Sequence, residues 1–247
     1  VMRAPLRGKA TPKLVKSHGG AVIAHDADWQ TPARTEHHAF KRVNELWRGA
    51  EGWSYLGFPW ATLIDLQNHG SDRRLELEAI LADVASELPE GTRVITVCQH
   101  IHARRIAPLM AGAGVTDLFW SHTRIGEARF CGLDVHPFPL FPVQGVDPTE
   151  AHRDILFSFV GARADQWYPT KTRNWIIDRL RHHRRGLILE RDAWHFDRAV
   201  YSAQIRGETT TPTPAEARHE AEFRDALARS VFVLCPAGSG PNTIRVW

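Results

Sequence analysis

The sequence predicts an α/β fold in two lobes. Three observations carry that reading. Short apolar, strand-like runs alternate with stretches of helical spacing along the chain. A strand–helix–strand unit is legible between Arg93 and Trp120. The alternation then restarts beyond a connector holding four prolines between Pro137 and Pro148. On this reading residues 1–147 form a first lobe and residues 148–247 a second.

The elements follow in order. Ala21–Ala24 and Ser54–Phe58 read as strands, and Thr35–Trp47 as a helix with Phe40, Val43, Leu46 and Trp47 in register. Arg73–Leu88 reads as a helix with Leu75, Leu77, Ile80, Leu81 and Val84 on one face, capped by Ser71 or Asp72 and stopped by Pro89 and Gly91. Arg93–Cys98 is the clearest strand, followed by a helix over Ile101–Ala113 and a strand over Asp117–Trp120. In LDVHPFPLFPVQGVDPTE the prolines forbid a regular helix and a central strand alike. Ile155–Val160 is then a strand, Thr172–Arg184 a helix and Gly186–Glu190 a strand. Thr213, Pro214 and Glu216 spell a capping box that starts a helix running to Ser230, and Ser230–Cys235 is a strand broken by Pro236.

Composition narrows the function classes. With 247 residues, 43% hydrophobic and 24% charged, the chain is ordinary for a globular protein, which excludes collagen-like, disordered and small disulfide-scaffold classes. No run approaches the roughly 18 apolar residues of a membrane span, and the first twenty residues lack the apolar core of a signal peptide. A cytoplasmic protein is expected, or one peripheral at the inner face of a membrane. Cys98, Cys131 and Cys235 are odd in number and widely spaced, which fits neither a bridge framework nor a CxxC metal site. The net charge of +3 comes from 31 basic and 28 acidic residues that are mostly interspersed, too small an excess to imply nucleic acid. The densest basic run, RLRHHRR at 179–185, reads as a solvated helix end, with a polyanion patch as the alternative. Both ends of the sequence read as interrupted, the last residues resembling a strand-loop-helix corner cut in its first helical turn.

In open α/β sheets ligands gather at the carboxyl ends of the strands. Four such places are Gln99 with His100 and His102; Ser121 with His122; Gly161 with Arg163; and the loop from Pro236 to Thr243. The last is a small-residue loop leading into a helix start, with Gly238, Ser239, Asn242 and Thr243 beside Arg245, a pattern suited to a phosphate or diphosphate. A capped turn with no ligand is the competing reading. The loop has neither a Walker Lys-Ser/Thr pair nor GxGxxG, and no HxxxH or HExxH metal pair occurs among the fourteen histidines. Trp53, Trp60 and Trp120 stand by strand ends, either stacking on a sugar or base or packing in the core.

These residues resemble the exostosin-like glycosyltransferases, in particular bacterial members. The resemblance rests on GFPWATLIDL (57–66), VCQHIHARRIAPLMAGAGVTDLFWSHT (97–123) with PFPLFPV (137–143), and LFSFVGA (156–162) with FVLCPAGSGPNTIRVW (232–247). It implies a GT-B architecture of two Rossmann-like lobes, the second incomplete at its carboxyl end, since the family's donor-contacting Glu would stand just after Trp247. It also implies transfer of a sugar from a nucleotide sugar, UDP-sugar favoured, to a glycan or glycolipid, with inversion. No cofactor, metal or nucleic acid is expected. Gly161, Arg163, Arg173, Gly238, Ser239, Asn242, Thr243 and Arg245 would hold the donor diphosphate. Gln99, His102, Ser121 and His122 would lie on the acceptor side, with Asp65 as first candidate for the base and His100 as second. A non-catalytic glycan- or nucleotide-binding module is the alternative.

Overall fold

The computed structural model describes residues 12–144, 152–194, 197–209 and 211–246. The expected boundary at 147/148 lies outside the described residues. The chain forms two compact units. The first comprises the described residues up to Gln30 with Glu36–Trp120 and Ile125–His136; the second comprises Thr31–Thr35, Ser121–Arg124 and the described residues from Pro137 onward.

The first unit is a seven-stranded sheet with helices in its crossovers. Its elements are β1 (Leu14–Ser17), β2 (Val22–His25), α1 (Thr35–Leu46), β3 (Trp53–Gly57), α2 (Trp60–Asn68), α3 (Arg73–Ala85), β4 (Arg93–Cys98), α4 (Ala107–Gly112), β5 (Asp117–Trp120), β6 (Arg129–Phe130) and β7 (Leu133–Pro137). The order is β1-β2-β3-β4-β5-β7-β6. Strands β2 to β5 are parallel, and an antiparallel pair closes each end, β1 with β2 and β6 with β7. All of β2 and four of the five residues of β3 are buried, as a central parallel strand covered on both faces requires. Trp60, Leu63, Ile64 and Leu66 sink the inner side of α2.

The second unit holds β8 (Ile155–Ala162), α5 (Thr172–Leu180), β9 (Gly186–Arg191), α6 (Pro214–Arg229) and β10 (Ser230–Val233). Its three-stranded sheet is parallel throughout, with β8 in the middle, in the order β10-β8-β9. Thus β4 and β8 belong to different sheets. The chain steps from β8 to one side, then crosses back to the other, so the strand order reverses at β8 and β10. The right-handed rule for such crossovers puts α5 and α6 on opposite faces. Phe159, Ile176 and Ile177 form the buried core, with Leu180, Ile188 and Leu234 against them.

Several expectations need correction. The helix expected over Ile101–Ala113 is a single tight turn at Ala103–Arg105 followed by α4, because Pro108 fits only a helix's first turn and starts a new one. The stretch WATLIDLQN is the helix α2, though its apolar run gave no helical period to read. Asp72 is already helical and makes no side-chain cap bond, and Leu75 is 58% exposed while Leu77, Ile80, Leu81 and Val84 are buried. The connector was expected to exclude a central strand, yet β7 lies between β5 and β6 and ends on Pro137, where a missing N–H costs least. The capping box at Thr213 forms as expected: the Glu216 N–H donates to Thr213 Oγ1 and the Thr213 N–H to Glu216 Oε2. Among the described residues no helix is long and apolar enough to cross a membrane.

Candidate functional site

The strand order reverses at β8 and β10, and the carboxyl ends of the strands at such a reversal are the place where α/β sheets bind ligands. Two arginines converge there. Gly161, next to last in β8, has no side chain, and a Cβ at that position would lie 2.9 Å from Arg245 Nη2 and 3.2 Å from Arg173 Nη1. Arg173 comes from the inner face of α5 and is 5% exposed. Arg245 comes from the short turn of helix after the loop that follows β10.

Backbone carbonyls orient both guanidinium groups. Arg173 donates through Nε to Ala237 O (3.0 Å) and through Nη1 to Ala162 O (3.3 Å), and Arg245 donates through Nη2 to Val160 O (2.9 Å). The Phe159 ring lies 5.7 Å from each guanidinium carbon and the Tyr168 ring 4.9 Å from that of Arg173. Among the described residues neither arginine is paired with a carboxylate, and Arg245 Nε is buried without a hydrogen-bond partner. Burial lowers the Arg173 pKa; burial first and the Arg173 charge second lower that of Arg245 to about 10. Arg245 therefore stays cationic at neutral pH, and a guanidinium such as that of Arg173 is not deprotonated in proteins. Two like charges, Arg173 buried and Arg245 half-buried, pre-oriented and without a counter-ion among the described residues, suit a ligand with more than one negative charge.

The other expected donor residues are placed unequally. Gly238 sits against Arg173, 3.8 Å from Nη2 to an added Cβ, and Thr243 is buried. Ser239 is exposed. Asn242 donates through Nδ2 to Ser121 O (2.9 Å), which ties the loop to the segment after β5. Arg163 is engaged elsewhere, donating to Glu190 (2.5 Å) and Asp178 (2.7 Å) in an exposed network, and is not among the groups gathered at Gly161.

In the first unit a buried polar chain runs along the carboxyl ends of β2, β3 and β4. Glu36 Oε1 accepts from the Ala61 N–H (3.1 Å) at the start of α2 and from the Gln99 N–H (3.0 Å) after β4. Gln99 Nε2 donates to Gln30 Oε1 (2.8 Å), and Gln30 Nε2 donates to Asp65 Oδ2 (2.5 Å). His100 Nδ1 accepts from the His102 N–H (3.0 Å), so Nε2 carries the proton and donates to Asp65 Oδ1 (3.0 Å). Burial pushes the Glu36 carboxyl up to about 8 and, with the Glu36 charge, raises the Cys98 thiol. Burial and the neighbouring His100 and Arg105 lower the His102 pKa.

Asp65, His100, Gln99 and His102 are thus brought together, whereas Ser121 and His122, both buried, belong to the second unit. Trp60 and Trp120 are core residues whose N–H groups donate to Thr96 Oγ1 (2.7 Å) and His100 O (2.8 Å), and Trp53 carries the Arg93 guanidinium on its ring. Sequence reasoning missed Glu36, Gln30 and Tyr168. The signal for Glu36 was available: it falls four residues before Phe40, a carboxylate on the apolar stripe of α1. Among the described residues no three His, Cys, Asp or Glu side chains form a group that could hold a metal ion. No family model, curated protein or solved structure matches the chain.

Proposed function

We propose that the second unit binds the diphosphate of a nucleotide sugar and that the protein is a glycosyltransferase acting on a glycan or glycolipid, with a UDP-sugar as donor. The supporting observation is the Arg173–Arg245 pair around Gly161, which lies at the strand-order reversal and has no carboxylate partner among the described residues. Departure of a nucleoside diphosphate concentrates negative charge on the leaving oxygens, and fixed guanidinium groups stabilise that charge without reorganising. Resemblance to the exostosin-like enzymes adds the reaction class, the inverting outcome and independence from a metal. Deprotonation of the acceptor hydroxyl would fall to the Asp65–His100 pair.

Calorimetric titration with UDP in EDTA tests the reading. Binding is expected, and Arg173→Ala or Arg245→Ala should each weaken it about tenfold to a hundredfold, the usual scale for a charge-assisted contact. Affinity unchanged in both variants overturns it. Asp65→Asn should leave UDP binding intact and lower sugar transfer about 10²- to 10⁴-fold.

One observation favours a second reading, nucleotide binding without turnover. Both Asp65 oxygens and both His100 ring nitrogens already have partners within the first unit. UDP binding without transfer from any UDP-sugar would select it.

A further inference from the structure

The outer face of α5 and the turn that follows it are not used by the diphosphate site. Arg173, Ile176 and Ile177 point inward and are buried. Lys171, Trp175, Arg179 and His182, spaced by four, four and three residues, share the opposite face and are all exposed. Trp175 is 55% exposed, and Trp167 in the preceding loop is 73% exposed. The turn continues with exposed Arg181, His183, Arg184 and Arg185.

Two of the nearby acids are already engaged. Asp178 pairs with Arg163, and Glu190 with Arg163 and Arg181. Arg179, Arg184 and Arg185 have no ion pair among the described residues. An indole one helical turn from an unpaired arginine matches the layering of a bilayer surface, where indoles settle at the headgroup level and arginines meet lipid phosphates.

We propose that this face docks on an anionic phospholipid surface. A polynucleotide fits less well, because it needs cations and several aromatic platforms along an extended track, whereas these cations are confined to one helix end.

Flotation of the full chain with phosphatidylcholine vesicles, with and without phosphatidylglycerol, tests the proposal. Binding is expected only with the anionic lipid. The triple variant Arg179→Ala/Arg184→Ala/Arg185→Ala should lower partitioning about 10²-fold, each cation near such a surface contributing roughly fivefold. Trp175→Ala should lower partitioning about tenfold while leaving any binding to polyuridine RNA unchanged, and unaltered circular dichroism would show that both variants fold. The proposal is overturned by failure to float with anionic vesicles, or by undiminished binding of the triple variant. It is equally overturned if polyuridine competes the protein off vesicles and Trp175→Ala has no effect on flotation.

Discussion

Glu36 and Gln99 hold each other through their backbones. The Gln99 N–H donates to Glu36 Oε1 at 3.0 Å, and the Glu36 N–H donates to Gln99 Oε1 at 3.2 Å. The first turn of α1 is thereby fastened to the end of β4, and the same carboxyl receives the Ala61 N–H of α2. One side chain thus fixes the three elements that position Asp65 and His100.

That arrangement makes stability pH-dependent. The folded-state pKa of Glu36, about 8, lies above its ordinary 4.5, so the folded protein holds a proton there that the unfolded chain releases between those values. The Glu36 contribution is complete below pH 4.5 and is lost as pH rises through 8. Urea unfolding at stepped pH should show stability falling over that window by up to a few kcal/mol, and Glu36→Gln should flatten the slope. An equal slope in the variant would assign it to another group.

Gly161→Ala separates binding from folding. The added methyl meets the far ends of two flexible side chains and one edge of the Phe159 ring. The cost to stability should stay within about 1 kcal/mol, while displacement of both guanidinium groups should weaken UDP binding roughly tenfold. Calorimetry and urea titration of the same variant check both halves.

Gly57→Ala should behave in the opposite way. Its Cβ would come within 2.8 Å of Ala24 Cβ and 3.0 Å of the Phe40 ring, where β2, β3 and α1 are packed and cannot yield. Overpacking of this kind costs about 1–3 kcal/mol. Denaturant midpoints should fall accordingly, and UDP affinity should not.

Thr213→Ala removes the oxygen that caps α6. Loss of such a cap costs about 1 kcal/mol. Hydrogen exchange should speed up at the first turn of α6 and remain unchanged in β4.

Much of this fold is legible in the sequence because its central strands are apolar runs bounded by glycine and proline. Arg93–Cys98 and Asp117–Trp120 form over the expected residues, and the Thr213 box does so because capping is local chemistry. Elements whose character is tertiary are harder to read. Helix α2 is buried along seven consecutive residues, so its sequence carries no polar face to mark a period. The candidate site divides in the same way. The loop after β10 and Arg173 could be named, but the convergence of Arg173 and Arg245 on Gly161 depends on β8 lying between β9 and β10. Arg163 looked equivalent to them because only the fold sets Glu190 and Asp178 beside it.

The two arginines at Gly161 carry a consequence beyond binding. Their repulsion and desolvation weigh on the folded second unit, and a polyanion that answers them does so only when that unit is folded. Occupancy and folding therefore share one equilibrium. If the second unit binds UDP as proposed, the melting temperature of the protein becomes a gauge of the UDP around it.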